Sequence, residues 1–304
     1  MEPRASSSSA SSTTRAELID LVDRYTKALC DHSPEDIPLS EDVTFVENVE
    51  RLEPGEGLWE TASAPPTEFR LTIPDPVSGQ VGFLGRMDEA GDPILLGLRL
   101  ALDAGEIHEI EHVIARELTP GSSGHTNTYN LETPRSLFRE DIADAHRHDR
   151  EKLLRIGRAY YDAVEENDGS LAPFAKNCVR IENGYQTTCK TPRPDPSPLE
   201  CLWTLDAGEQ LDAGAMRYIT RVDPVRVNIA DPDTGLVCGH SILRHPMEST
   251  TLDIEGVPEL DTVDLDFDPF DTVAFHVFSI SGGQIRAIEA TGFRAPYDTP
   301  TGWE

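Results

Sequence analysis

Residues 153–188 read LLRIGRAYYDAVEENDGSLAPFAKNCVRIENGYQTT, and this pattern decides the fold because it occurs twice. The earlier copy covers residues 18–52, so a shift of 135 positions places Tyr25 on Tyr160. In both copies apolar residues at helical spacing come first, and a short apolar run that is typical of a strand follows. The stretch therefore predicts a repeated helix-then-strand unit.

Two further matches follow in the same order. IPDPVSGQV from Ile73 matches IADPDTGLV from Ile229, and GEIHEIEHVIAR from Gly105 matches GQIRAIEATGFR from Gly283. The offset grows from 135 to 156 and then to 178 positions, which indicates insertions in the second copy. Solenoid repeats have periods of about 20–50 residues. A period this long therefore predicts that a whole domain is duplicated.

Composition supports two domains and excludes some partners. A chain of 304 residues is long enough for two cores. Its 55 acidic and 26 basic residues give a formal charge of −29, which argues against nucleic acid or an anionic membrane as partner. We find no apolar run of about 18 residues and no secretory signal, so we expect a soluble, cytoplasmic protein. The five cysteines lack metal-site spacing, so we expect no metal and no disulfide framework.

The chain divides into four segments. Residues 1–14 are rich in Ser and Thr and predict a disordered tail. Residues 15–118 form the first domain, residues 119–148 a linker with a helical pattern near 136–145, and residues 149–304 the second domain. Each domain starts with a helix and continues in mostly antiparallel strands, which predicts an α+β fold. The apolar patterns predict strands at 43–49, 69–73, 80–84, 94–102, 107–116, 178–181, 225–229, 236–243, 272–280 and 284–293.

Two insertions belong to the second half alone. Residues 190–210 are rich in proline, and residues 247–268 are acidic. Long segments without a periodic pattern are often mobile and functional. We therefore predict a flexible lid or surface loop at 247–268.

The order of helix, FAKNCVRIENG from Phe174 and long strands ending in a hairpin resembles the cone-shaped fold of the nuclear-transport-factor-2-like superfamily. This superfamily includes ketosteroid isomerase, the SnoaL-like polyketide cyclases, scytalone dehydratase and limonene epoxide hydrolase. The segment DAGAMRYITRVDPVRVNIADPDTGLV, from Asp212, also resembles a domain of unknown function from fungal and bacterial proteins. The resemblance implies two tandem cones, each with a helix packed on a curved sheet.

The resemblance also implies catalytic positions. Ketosteroid isomerase-like proteins place a catalytic carboxylate eight residues after an aromatic residue, and Phe174 is followed at that spacing by Glu182. Glu47 is its counterpart in the first half. The oxyanion-binding tyrosine of the family corresponds to Tyr160, with Tyr25 as counterpart. A carboxylate at the mouth of an apolar cavity is desolvated, which suits it to accept a proton from carbon.

One position departs from the family. The protonated Asp that assists the tyrosine falls near Ala274, and His276 follows two residues later on the same strand face. We include His276 and His240 as catalytic candidates of the second cone, although a satisfied core histidine is the alternative for both. Asn183 and Tyr185 follow the base position and are candidate binding residues, as are Tyr25 and Glu47.

The last strand of each half carries charged residues that occur in both copies and to which the family resemblance gives no role. Glu111 and Arg116 match Glu289 and Arg294, and we interpret them as buried or interfacial ion pairs retained by duplication. His112 has no histidine counterpart and is interpreted as a core residue.

These features predict a cofactor-independent enzyme that moves a proton at carbon in a small molecule. The reaction is an isomerisation, an elimination such as dehydration, or a cyclisation, in natural-product or carbohydrate metabolism. Two alternatives stay open: an epoxide hydrolase or polyether-type cyclase, and a non-catalytic ligand-binding or assembly module. We expect either a homodimer or packing of the two domains sheet to sheet.

Overall fold

The computed structural model describes residues 13–116, 131–191, 194 and 197–304. Each half is a helix packed on a curved sheet. The first half contains two helices and seven strands: α1 Arg15–Asp31, β1 Leu39–Glu47, β2 Glu50–Leu52, α2 Leu58–Thr61, β3 Ala62–Ala64, β4 Arg70–Asp75, β5 Gln80–Glu89, β6 Asp92–Asp103 and β7 Glu106–Ala115. The second half contains three helices and eight strands: α3 Arg150–Glu166, β8 Phe174–Glu182, β9 Tyr185–Gln186, α4 Pro198–Leu202, α5 Ala207–Asp212, β10 Arg221–Asp231, β11 Leu236–His245, β12 Thr251–Asp253, β13 Thr262–Asp264, β14 Phe270–Ser281 and β15 Gln284–Pro296.

Local sequence fixes both long helices. Thr14 caps α1 through a capping box with Glu17, and Asp149 caps α3 by accepting from the Lys152 amide. Both helices are 17 residues long and end at a residue in the left-handed conformation, His32 for α1 and Asn167 for α3. Each presents an apolar stripe to its own sheet, as the repeated pattern predicts.

The two sheets share one topology. Their strand orders are β2-β1-β7-β6-β5-β3, with β4 also on β5, and β10-β11-β14-β15-β8-β9. In each sheet the strand after the first helix pairs in parallel with the last strand, and the other pairs along these orders are antiparallel. The predicted α+β fold with two duplicated cones is thereby confirmed.

The insertions are more ordered than their sequence predicts. Instead of a flexible loop, residues 247–268 contain the β12–β13 hairpin, whose apolar side chains pack on Leu202 and Ala213. This prediction is wrong because alternate apolar residues of the acidic stretch are buried in a small separate core. The 190–210 insertion contains α4, and α5 begins at its end. The helical pattern near 136–145 forms only two 3-10 turns, Ser136–Phe138 and Asp144–His146.

Residues 1–12 of the predicted tail and residues 119–130 of the predicted linker lie outside the described residues. The predicted domain boundaries therefore stay predictions. Among the described residues, no helix is long and apolar enough to cross a membrane.

The two sheets pack face to face. A shared apolar cluster joins Ile73 and Leu84 of the first half to Ile229 and Phe275 of the second. Side chains of the second sheet pack directly on the backbone of the first at Gly97, where an added Cβ would lie 2.7 Å from the Phe275 side chain. The interface is therefore packed like a domain core.

Two equivalent ion pairs cross this interface in opposite directions. Arg15, the first residue of α1, contacts Asp231 of the second half at 2.7 Å. Its counterpart Arg150, the first residue of α3, contacts Asp75 of the first half at 2.7 Å. Asp75 also accepts from the Ala230 amide at 3.1 Å. Such reciprocal contacts are the signature of a two-fold interface, here formed within one chain.

The repeated glutamates of the last strands differ. Glu111 accepts hydrogen bonds from Arg99, Arg226 and Trp303. Glu289 is 1% exposed, and its Oε1 has no hydrogen-bond partner within the described residues. Burial raises the pKa of Glu289 to about 8, although Arg135 opposes this shift. The predicted interfacial ion pair therefore exists for Glu111, and the prediction is wrong for Glu289.

Removing Arg150 should destabilise the protein more than removing Arg15. Asp75 has a 1% exposed side chain, so Arg150→Ala leaves a buried carboxylate without its guanidinium, at a cost of about 1–3 kcal/mol or more. Arg15 is 39% exposed and should cost less. Urea unfolding measures both effects, with the exposed Arg155→Ala as control. We expect Asp75→Asn, added to the Arg150→Ala variant, to restore part of the lost free energy of unfolding. Equal effects of all three single variants would contradict the interface ion pair.

Glu289→Gln should stabilise the protein increasingly as the pH rises. The folded-state pKa of Glu289 is raised from 4.5 to about 8, so its protonated form contributes stability that is complete below about 4.5 and lost as the pH rises to about 8. The melting temperature of wild type minus that of Glu289→Gln should decrease between pH 5 and 8 and level off above. Exposed Glu165→Gln serves as control. A difference that is independent of pH would contradict the buried, unpaired state of Glu289.

Candidate functional site

The two carboxylates at the predicted base position end equivalent strands, β1 and β8, but they have different neighbours. In the parallel pairing of β1 with β7, Glu47 lies beside His112. In the pairing of β8 with β15, Glu182 lies beside Ala290. The two halves therefore offer their carboxylates different hydrogen-bonding partners from the same backbone position.

The first cone contains a buried hydrogen-bonded chain. The Tyr25 hydroxyl lies 2.8 Å from His112 Nε2, and His112 Nδ1 lies 3.1 Å from Glu47 Oε2. Arg116 donates to Glu47 Oε1 at 2.7 Å, and the Leu58 amide donates to Oε2 at 3.0 Å. An ionised carboxylate only accepts, so Nδ1 carries the proton and Nε2 accepts from the phenol.

This chain is closed to substrate. Tyr25, His112 and Glu47 are at most 5% exposed, and apolar side chains such as Phe45 and Trp59 pack around them. Burial alone would raise the pKa of Glu47, but the contacts with His112, Arg116 and the Leu58 amide lower it to about 2. Such a carboxylate is a weak base at neutral pH.

Tyr25 and Glu47 thus hydrogen-bond within the protein through His112, and their predicted ligand contacts stay a prediction. His112, which its sequence context presents as an ordinary core residue, is the centre of their network.

The second cone has a buried arginine where the first has its histidine network. Arg180 is 3% exposed, and its Nε lies 2.8 Å from Glu182 Oε1. Its Nη2 donates to Gln210 at 2.6 Å, whereas Nη1 contacts the sulfur of Met216 at 3.4 Å. A thioether is a weak acceptor. Gln210 thus holds the Nη2 edge of this guanidinium in place. Nη1 can still donate a stronger hydrogen bond to another acceptor.

Tyr160 lies on this arginine. The charge of the guanidinium acts on the phenol, and the hydroxyl of Tyr160 can donate its proton to an acceptor. Burial raises the pKa of Tyr160 to about 12, against the opposing charge of Arg180. The phenol is therefore a hydrogen-bond donor at neutral pH.

Glu182 lies at the open end of the site. Its side chain is 47% exposed and forms the ion pair with Arg180. The expectation that an apolar cavity desolvates this carboxylate is wrong, because β8 ends there and solvent reaches the side chain. Glu182 can still contact a molecule that approaches from this side.

His276 lines the interior of the second cone. Its Nδ1 lies 3.0 Å from the hydroxyl of Tyr161, and its ring contacts Tyr160. Burial lowers the pKa of His276 to about 3, and Arg180 adds to this, so the ring is neutral.

Gly239 makes room for the Tyr161 ring, which a Cβ at this position would overlap.

His240 is on the other side of the sheet. Gly239 pairs with His276 and His240 with Phe275, so His240 faces the interface between the sheets. Its Nε2 lies 3.6 Å from Glu111, beside a cavity of about 20 Å³, and burial lowers its pKa to about 3. The prediction that His240 and His276 share one pocket is wrong, because strand alternation separates them.

The two predicted binding residues after Glu182 differ in role. Asn183 exchanges two hydrogen bonds of 3.0 Å with the backbone of Gly292, so its amide is already engaged. Asn48 does the same with Ile114, which marks a structural feature of both halves. Tyr185 instead packs edge to face on Trp203, next to Glu182.

Sequence reasoning missed Arg180. It precedes Glu182 by two residues on one strand, and this spacing alone places both side chains on the same face. Gln210 and Met216, which position it, come from the segment around α5 and gave no signal in the sequence.

The Glu47 network should determine part of the acid stability. The folded-state pKa of Glu47 is lowered from 4.5 to about 2, so its contribution is complete above about 4.5 and lost as the pH falls to about 2. Glu47→Gln should lower the melting temperature at pH 6 by several degrees and flatten its decrease between pH 4.5 and 2. Exposed Glu50→Gln is the control. If the melting temperatures of wild type and Glu47→Gln decreased identically between pH 4.5 and 2, the result would contradict this network.

Part of the chain matches a family model. Residues 146–292, which include all of α3 and the sheet strands of the second half up to β15, match the model described as "Domain of unknown function (DUF8021)". No curated protein matches the chain at a significant level.

Several solved structures are similar to parts of the chain. An NTF2-like protein of unknown function from Cytophaga hutchinsonii is 17% identical over 32% of this chain and 89% of its own, with a TM-score of 0.27. A protein from Silicibacter sp. TM1040, provisionally described as a polyketide cyclase, is 11% identical over 47% and 89%, with a TM-score of 0.29. A provisionally described SnoaL-like polyketide cyclase from Jannaschia sp. CCS1 is 11% identical over 51% and 90%, with a TM-score of 0.25. Each of these three matches covers only part of this chain.

Proposed function

We propose that the second half is an enzyme that removes a proton from carbon next to a carbonyl group in a small molecule, without a cofactor. The observation that carries this proposal is the group of Tyr160, Arg180 and Glu182 at the open end of the second cone. It combines a base and a fixed cation 2.8 Å apart with a neutral hydrogen-bond donor whose pKa both charges influence.

Each residue has a separate role. Glu182 accepts the proton, because its carboxylate is reachable from solvent and the neighbouring guanidinium fixes its direction. Arg180 Nη1 and the Tyr160 hydroxyl stabilise the oxygen on which negative charge develops, since both are buried donors whose positions are set before the reaction. Arg180 thereby replaces the protonated Asp that the resemblance to ketosteroid isomerase implies.

The first half has a different role in this proposal. Its equivalent carboxylate, Glu47, is enclosed by Tyr25, His112 and Arg116, and the interior of its cone is filled by side chains. We therefore assign it to supporting the second half through the interface between the sheets. The reaction class is isomerisation, elimination or cyclisation, because all three begin with proton abstraction at such a carbon.

Deuterium exchange tests proton abstraction without knowledge of the product. Small ketones and β-keto esters are incubated with the protein in D₂O, and loss of the proton signal at the carbon next to the carbonyl is followed by NMR. Wild type should accelerate exchange of at least one compound. Glu182→Gln should abolish the acceleration, and Tyr160→Phe should lower it by about one to three orders of magnitude, the scale for losing one oxyanion donor.

The exposed Glu166→Gln, at the end of α3, is the matched control and should keep full activity. Circular dichroism confirms that each variant is folded. Exchange that persists in Glu182→Gln would contradict the assigned base. If no compound exchanged its proton but some compounds bound to the protein in a way that depends on Glu182, the result would favour the ligand-binding module.

A further inference from the structure

Two cationic side chains, Lys190 and Arg294, are held by aromatic rings in the second half. We infer that the substrate of this site bears a carboxylate, which Lys190 and Arg294 bind beside Glu182. This inference rests on the proposed function and specifies the substrate class. It is notable against a formal charge of −29, because acidic side chains are more than twice as abundant as basic ones.

Lys190 is held beside Glu182 by aromatic rings. Its Nζ lies 3.5 Å from the centre of the Tyr185 ring and 4.3 Å from that of Trp203. Tyr185 is the direct strand partner of Glu182. Cation–π contacts fix the position of an ammonium group without neutralising its charge. Lys190 is therefore held next to the carboxylate of the site.

Arg294 is held in a similar way on β15, two residues after Gly292, which exchanges hydrogen bonds with Asn183. Its guanidinium stacks on Phe270 at 4.0 Å and on Phe267 at 5.0 Å. A stacked guanidinium leaves its N–H edge free for a planar carboxylate.

Tyr218 lies close to Arg294 and to the Arg180–Glu182 pair. Burial raises its pKa, Glu182 raises it further, and the charges of Arg180 and Arg294 oppose the shift. Arg294 thus belongs to the same electrostatic environment as Glu182.

Lys190 and Arg294 differ in pairing from three other cationic side chains. Arg99, Arg116 and Arg226 all have carboxylates at ion-pair distance. Within the described residues, neither Lys190 nor Arg294 has a carboxylate within 4.0 Å. Together with Arg180 they place three cationic side chains in the second half near Glu182. A substrate carboxylate would be attracted by these side chains, whereas a cationic substrate would be repelled by them.

Matched probes test the charge requirement. Benzoate and benzamide have the same shape and differ in charge, and their binding is measured by isothermal titration calorimetry. Wild type should bind benzoate about tenfold more tightly than benzamide, which corresponds to about 1.4 kcal/mol. Lys190→Gln and Arg294→Gln should each weaken benzoate binding about two- to fivefold, the scale of partly exposed ion pairs, and leave benzamide binding unchanged.

Lys176→Gln is the control, because Lys176 is exposed on β8 and its loss changes the net charge equally. The double variant Lys190→Gln/Arg294→Gln should lose most of the preference. Equal affinities of the two probes for wild type, or an equal effect of Lys176→Gln, would overturn the inference.

The two proposals fail in different ways. Benzoate preference without deuterium exchange would retain the carboxylate site and reject the proton-transfer reaction. Exchange of neutral ketones by a protein that binds both probes equally would retain the reaction and reject the carboxylate requirement.

Discussion

The reciprocal pairing of Arg15 with Asp231 and of Arg150 with Asp75 fixes how the two halves meet. Each arginine starts the long helix of one half, and each aspartate ends a strand of the other. Both aspartates have side chains no more than 3% exposed, and the Arg150–Asp75 pair is the more enclosed because Arg150 is 19% exposed and Arg15 is 39% exposed. The apolar cluster between the sheets supplies most of the buried surface, and the ion pairs specify its register.

This interface limits where function can be located. One face of each sheet is used for packing against the other half, so only the interior and the open end of each cone remain. His240 illustrates the limit, because its place on the packed face removes it from the cone that contains His276. Neighbours on one strand thus belong to different environments.

Equivalent positions acquire different chemistry through few changes. His112 beside Glu47 closes the first site, and Ala290 beside Glu182 leaves the second open. The insertions of the second half contribute the remaining parts. Lys190 and Trp203 come from the 190–210 segment, and Gln210 and Met216 hold Arg180. The residues that distinguish the halves in sequence are therefore largely those that build the candidate site.

The sequence by itself determined the duplication and the order of helix and strands, because these depend on periodicity and on motifs that recur in the same order, and the cone fold followed from the family resemblance. It also placed Glu182 and Tyr160 on equivalent elements. Burial and partners were decided only by the tertiary structure. Glu182 is half exposed and paired with Arg180, His112 joins Tyr25 to Glu47, and Glu289 is buried without the ion pair of Glu111. The physical reason is that these properties depend on contacts between residues far apart in the chain, which local patterns do not encode.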